Sequence, residues 1–430
     1  MKLYYIFFFL ILCVYQNELF SYPKITPIKS NPNYLLITED SLPIIDLGIN
    51  IDAGSTDDGE TPGLTNLTLE SLSKIKYENE KIVDLFENIG AEFIYNVGKD
   101  FSTINIRFIN NDKNIDYVTN LINFILLNRE VSKEDLEFLK EKIKNRINSQ
   151  FLNPGSLARI KANEKFFIGT KYQHPIIGYK ESISLIASSD IIDHLNKIFT
   201  RKSLAINLVG NINENEGARI VYKILNNVSK GKDKIEKKSK IKFNGKMYSQ
   251  KVLMASKQTH IYIIIPAIRR LEKDYYSLLV GNYIFGGSGF GSKIFNEIRQ
   301  KRGLAYSVYS YLRPYQEFGV FIINMQTKNE NAKEAIGILK NEIRKIKKGF
   351  FTEDEVKNAK EGILGDFYIR YDTNRKMLGL LTQINFLNFD LNYFEKYENE
   401  IKGVTEKSIY DAVKKYIRLE KSIVTTVGNF

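Results

Sequence analysis

The chain has 430 residues, too many for one hydrophobic core, so two domains of about 200 residues are expected. Apolar residues make up 43% and charged residues 26%, which excludes a disordered or fibrous chain. The net charge of +12 is spread along the sequence, and no nucleic-acid motif accompanies the lysine-rich runs at 230–242 and 344–348, so no nucleic-acid partner is expected.

In chain order, the first 21 residues have the form of a secretory signal. Lys2 is the positive start, residues 4–15 are an apolar run too short for an ordinary membrane span, and Gln16, Asn17 and Glu18 end it. Cleavage after Ser21 gives a periplasmic or otherwise exported chain. An uncleaved anchor is the alternative, and the protein meets a membrane only in that case. Cys13 is the sole cysteine, and Leu10, Ile11 and Leu12 lack the small residue of a lipid-attachment site, so the mature chain is expected to have no thiol and no disulfide.

A strand-like run at 43–51 precedes Thr61-Pro62-Gly63-Leu64-Thr65-Asn66-Leu67-Thr68-Leu69-Glu70-Ser71-Leu72. Here Thr61 can cap a helix and Pro62 fits its first turn. Leu64, Leu67, Leu72 and Ile75 fall at helical spacing and supply a buried face, while Asn66 and Glu70, four apart, share another. A zinc-peptidase helix needs two neutral His at that spacing and a Glu beside one of them to activate water. Those slots hold Asn66, Leu69 and Glu70, and a lone carboxylate cannot hold Zn²⁺ against water.

A second strand is expected at 103–109 and helices at 114–127 and 133–150, the latter opened by the Ser132 hydroxyl. His174, His194 and His260 have no partner at ligand spacing and read as structural or surface residues. The helix containing Asp193 and Lys197 leads into a strand at 204–209 that ends in Val209-Gly210-Asn211. The same pattern, Asp411, Lys415 and Val427-Gly428-Asn429, recurs at an offset of about 218 residues. Likewise Ser132-Lys133-Glu134-Asp135 resembles Thr352-Glu353-Asp354-Glu355 at a nearly equal offset, so the mature chain reads as a duplication rather than a set of chance matches. The second copy has strands at 261–266, 318–325 and 423–427 and helices at 332–347 and 353–371, an α+β pattern with an antiparallel-rich sheet in each copy. The boundaries are 31–229 and 250–430, with a charged linker at 230–249.

In the second copy, Phe285-Gly286-Gly287-Ser288-Gly289-Phe290-Gly291-Ser292 is a Gly-rich stretch, a flexible hairpin or a place where the backbone passes close to another chain. It does not match a phosphate loop. Arg299-Gln300-Lys301-Arg302-Gly303-Leu304-Ala305-Tyr306-Ser307-Val308 follows it. Together these residues resemble the second-domain signature of the pitrilysin/insulinase-type zinc peptidases, in the branch that includes mitochondrial processing peptidase. Ala53-Gly54-Ser55 and Gly63-Leu64-Thr65-Asn66-Leu67 resemble the first-domain signature up to its metal ligands.

The resemblance implies two homologous α+β domains in a clam-shell around an extended peptide. It implies that Arg299 and Tyr306 reach the active site, position substrate and stabilise the tetrahedral oxyanion. It places the family's two His and its Glu at Asn66, Leu69 and Glu70, and its third ligand near Asn145 or Arg146, with Glu141 one turn away. The chain is therefore expected to carry no cofactor and to be inactive alone. It would supply Arg299 and Tyr306, with Gly286, Gly287, Ser288 and Gly289 against substrate, to a homologous partner subunit that carries the zinc. The alternative is a purely structural or peptide-binding subunit, in which Arg299 is a surface charge and Tyr306 a core aromatic.

Overall fold

The computed structural model describes residues 22–28, 34–232, 246–349 and 351–429. The expected signal segment, Cys13 and positions 233–245 of the expected linker lie outside the described residues. The last part of that expected linker belongs to a strand that begins at Tyr248.

The first sheet contains β1 (Thr26–Ile28), β2 (Tyr34–Thr38), β3 (Ile44–Ile51), β6 (Glu92–Val97), β7 (Ser102–Ile109) and β8 (Leu204–Gly210), in the order β1-β2-β8-β3-β7-β6. A two-stranded ribbon, β4 (Lys76–Tyr77) and β5 (Glu80–Lys81), lies outside it. The second sheet contains β9 (Tyr248–Leu253), β10 (Gln258–Ala267), β11 (Ala305–Pro314), β12 (Gly319–Lys328) and β13 (Ile423–Gly428), in the order β11-β12-β10-β13-β9. The duplication is visible in the pairing. β8 runs antiparallel to β3 and parallel to β2, and β13 runs antiparallel to β10 and parallel to β9. The two Val-Gly-Asn repeats end these equivalent strands.

The helices used below are α1 (Leu64–Ser71), α2 (Asp112–Leu127), α3 (Lys133–Leu152), α4 (Pro154–Phe166), α5 (Ser188–Ile198), α6 (Ala332–Ile346), α7 (Glu353–Ile369), α8 (Asn374–Leu387) and α9 (Glu406–Tyr416). Hydroxyl caps open the matched helices as expected: Ser132 accepts from the Asp135 amide and Thr352 from the Glu355 amide.

Both faces of each sheet are covered, and the covers come from different halves. In β10, Ile261, Ile263 and Ile265 point into one core, while Tyr262 and Ile264 point into another. A strand's side chains alternate between faces, so the near-continuous apolar run of β10 follows from double burial. The second of these cores is closed by Leu157, Ala158, Ala162 and Phe166 of α4, a helix of the first half. The exchange is reciprocal. α8, a helix of the second half, lies on β3 and β8 of the first sheet. There the Thr382 hydroxyl donates to Asn50 Oδ1 at 3.0 Å and the Asn385 amide donates to Asn207 Oδ1. Gly48 of β3 leaves room for Leu378, which an added Cβ would meet at 3.0 Å. Among the described residues no helix is long and apolar enough to cross a membrane.

Candidate functional site

Helix α1 forms where the sequence places it, but it begins differently. Gly63, with φ at +95°, is the residue before its first turn, and no side chain of Thr61 caps it. Instead, the Asp58 carboxylate accepts from the amides of Gly63 at 2.7 Å and Thr65 at 2.8 Å. The left-handed turn at Gly63 aims the first free amides back toward Asp58, while Thr61 and Pro62 lie in the preceding turn. Burial pushes the Asp58 carboxyl up to about 7, against the opposing pull of the Thr65 and Gly63 hydrogen bonds and the Lys99 charge.

Leu69, the residue in the slot of the water-activating base, is fully buried in the core of the first half. Glu70 is buried on the face turned toward α3. Its Oε1 accepts from Lys142 Nζ at 2.8 Å and its Oε2 from Arg146 Nη2 at 2.7 Å. Lys142 and Arg146 are one turn apart on α3, so both reach the same carboxylate. Burial alone raises the Glu70 carboxyl, but the two cations outweigh it and hold the group below the ordinary carboxylate range. Tyr95 of β6 faces the same carboxylate, and burial with that negative charge pushes its phenol up to about 12. The donor chemistry does not fit Zn²⁺. One slot is an amide, one an aliphatic chain, and the only carboxylate is already neutralised by two fixed cations. Glu141 does not help, because it faces Lys144 at 2.8 Å.

The three histidines are held elsewhere. His194 is buried with Nε2 at 2.9 Å from Thr65 Oγ1, whose hydroxyl donates to the Gly54 carbonyl at 3.0 Å, so Nε2 carries the proton. Burial pushes this imidazole down to about 4. His174 Nδ1 lies at 2.9 Å from the Pro175 carbonyl, and His260 packs against Gly155 of α4. Among the described residues no group of three His, Cys, Asp or Glu could hold a metal ion.

Arg299 and Tyr306 are brought together by two backbone irregularities. Asn296–Gln300 is a π-helical turn that carries Arg299. The pairing of β11 with β12 slips between Ala305 and Ser307, so Tyr306 is the extra residue of a bulge. Such features re-aim side chains. The guanidinium lies 5.6 Å from the Tyr306 ring, 5.1 Å from Phe295 and 5.9 Å from Phe290. It makes no hydrogen bond or ion pair among the described residues. Tyr306 is 67% exposed and Phe290 76% exposed. The patch is thus a cation with free donors on an aromatic platform open to solvent, a form suited to an anionic or electron-rich group. Tyr306 is not a core aromatic.

The Gly-rich stretch is not a hairpin. Tyr283–Gly287 is a second π-helical turn and Gly289–Gly291 a 3-10 turn. An added Cβ at Gly286 would lie 2.4 Å from Ser310 Oγ of β11, so this close approach is to the chain's own strand. Gly287 is exposed and Ser288 and Gly289 are half-buried, so these three reach the surface side; Gly289 has φ at +68° and open space around it.

Three features escaped the sequence: the Asp58 cap, the Tyr95 contact and the double clamp on Glu70. Only the clamp had a signal, a pair of cations four apart on the helix where the third ligand was expected.

Comparison with known proteins supports the resemblance. Residues 186–363 match the family model described as the peptidase M16 inactive domain. The non-peptidase homolog YmxG of Helicobacter pylori is 26% identical over 296 residues, covering 67% of this chain and 67% of that protein. The uncharacterized zinc protease YmxG of Bacillus subtilis is 21% identical over 355 residues, covering 80% of this chain and 83% of that protein. The crystal structure of a peptidase M16 inactive domain from Pseudomonas fluorescens is similar with a TM-score of 0.88 at 25% identity, covering 94% of this chain and 98% of that chain.

Proposed function

This chain is an inactive-type member of the M16 peptidase family, and from that premise we propose that it is the exported, non-catalytic half of a two-chain peptidase. The zinc resides on a homologous partner subunit. This chain supplies the Arg299 guanidinium and the Tyr306 phenol to the composite site. There they hold an extended peptide and stabilise the oxyanion that forms as water adds to the scissile carbonyl. Gly287, Ser288 and Gly289 lie against the same peptide, while Gly286 is buried against β11.

The observation that carries this reading is the pair itself. A π-turn and a bulge, each a departure from regular structure, converge to present an arginine with free donors beside an exposed tyrosine. A core or a plain surface has no use for that arrangement. Strands β6 and β11 edge their sheets, and an edge can accept an extended peptide by adding a strand.

The test mixes this protein with a zinc-bearing homologue from the same cell and measures peptide cleavage. Arg299→Ala and Tyr306→Phe are expected to lower the joint rate by about 10²-fold or more, the usual effect of losing an oxyanion donor. An unchanged rate sinks the shared site. The second reading, a structural or peptide-binding subunit, is favoured by one observation: the clamp of Lys142 and Arg146 on Glu70 turns the former metal position into a packing element. It predicts a stable complex whose rate ignores both substitutions.

A further inference from the structure

A cavity of about 260 Å³ lies beside α1, closed by α4, by the turn at 173–177 and by the end of β11. It therefore lies between the two halves. Among the described residues three cations line it, Lys99, Arg159 and Arg313, and no Asp or Glu does. Arg159 lies on α4 with its guanidinium free of hydrogen bonds and ion pairs among the described residues. Asn66 also lines the cavity. It is only 8% exposed, and its amide Nδ2 has no partner among the described residues. A buried donor left unsatisfied costs stability, so a native structure that keeps one calls for an explanation.

Two acids, Asp58 and Asp100, lie near enough to act on Lys99, but each is also held by hydrogen bonds of its own. Asp58 is engaged by the Gly63 and Thr65 amides. Asp100 accepts from the Tyr172 hydroxyl and, at 3.1 Å, from the Gln316 amide. Lys99 donates one proton to the His174 carbonyl and retains two. One part of the remaining wall is apolar, with Val97, Ile160 and Ile177, and the rest is polar but uncharged at neutral pH, with Gln150, Asn163 and Gln173.

We propose that this cavity binds the carboxylate of a small ligand with a short apolar side chain, of about one to two amino-acid residues. The Arg159 guanidinium meets the carboxylate as a fork, and the Asn66 amide donates beside it. A planar carboxylate suits a guanidinium fork, and the aliphatic wall suits the side chain. The volume is too small for an extended peptide, so the occupant is either a free small acid or the last residue of a chain. The site stands apart from the shared-site reading, because it needs neither the partner nor Arg299.

The test titrates the full chain, without any partner, by calorimetry. The probes are N-acetyl-leucine, its amide, inorganic phosphate and an N-acetylated pentapeptide ending in leucine. N-acetyl-leucine is expected to bind at least tenfold more tightly than its amide, and Arg159→Gln or Asn66→Ala to weaken that binding about tenfold while the thermal transition stays within a few degrees. Tighter binding of the pentapeptide acid assigns the ligand as a chain terminus; equal or weaker binding assigns a free acid. Equal binding of acid and amide, binding of phosphate alone, or no binding at all overturns the proposal. Should either variant fail to fold, Arg159→Lys, which keeps the charge and loses the fork, must still weaken the acid.

Discussion

Arg146 Nη2 lies 2.7 Å from Oε2 of Glu70, so a fixed cation stands against the helix position where a relative with an intact motif holds a metal ligand. Lys142 completes the clamp at 2.8 Å. Replacing both, Lys142→Met with Arg146→Met, leaves a buried carboxylate without a counterion. Because both cations are about half exposed, the expected loss is reduced to about 2 kcal/mol at neutral pH. Glu70 is held below its ordinary value of 4.5, so its contribution is complete above that value and fades as pH falls through the lower folded value. Urea titrations at pH 7 and pH 3 should show a large difference between wild type and variant at the first pH and a small one at the second. Equal differences at both would remove the clamp from the account.

The same clamp governs any attempt to restore a metal. Asn66→His, Leu69→Glu and Glu70→His together recreate the peptidase motif, yet Arg146 and Lys142 still face it. We expect that triple variant to retain no stoichiometric zinc after dialysis. Adding Arg146→Glu, which supplies a third ligand and removes one repelling charge, should allow about one zinc per chain, measured by elemental analysis. Zinc in the triple variant alone would contradict the electrostatic argument.

Acid should destabilise the first half through His194. Its imidazole is pushed from an ordinary 6.5 down to about 4 by burial. Between those values the unfolded chain binds the extra proton and the folded chain does not, so stability falls as pH drops from 6.5 to about 4 and levels off below. The full swing is about 3 kcal/mol. His194→Asn should lower stability at pH 7 and flatten that slope. A slope that survives the substitution would assign the acid sensitivity elsewhere.

Two glycines of one short stretch should lose different amounts of stability on change to alanine. At Gly286 the new methyl meets Ser310 Oγ at 2.4 Å and Ile294 Cδ1 at 2.6 Å. Overpacking of this kind costs about 1–3 kcal/mol and should shift the π-turn that precedes Arg299. At Gly289 there is space, and only the positive φ opposes a side chain, at about 1 kcal/mol. Thermal unfolding of the two variants checks the order, and the reverse order would mean that the stretch is packed differently in solution.

Much of the fold could be read in advance because it rests on local pattern. The apolar runs of β3, β10 and β12 and the hydroxyl caps of α3 and α7 are properties of neighbouring residues, and the Val-Gly-Asn repeat gave the duplication. The start of α1 could not be read so simply, since Thr61 and Pro62 are good capping residues by type. The bond that counts comes from Asp58, made possible by the turn at Gly63. The site was legible only in its identities. Which residues stand in the metal-ligand slots follows from the family resemblance, but their partners, Lys142, Arg146 and Tyr95, are brought in by tertiary contacts. The same holds for the basic cavity, whose Asn66, Lys99, Arg159 and Arg313 are gathered from four separate segments.

Because α4 roofs the second sheet and α8 roofs the first, the molecule cannot be divided at its midpoint. A fragment ending at residue 232 would keep a stray helix and a bare sheet, and so would its complement from residue 246. Neither piece should fold by itself, whereas the two together should re-form the whole. Damage to one lobe is then expected to melt both in a single transition.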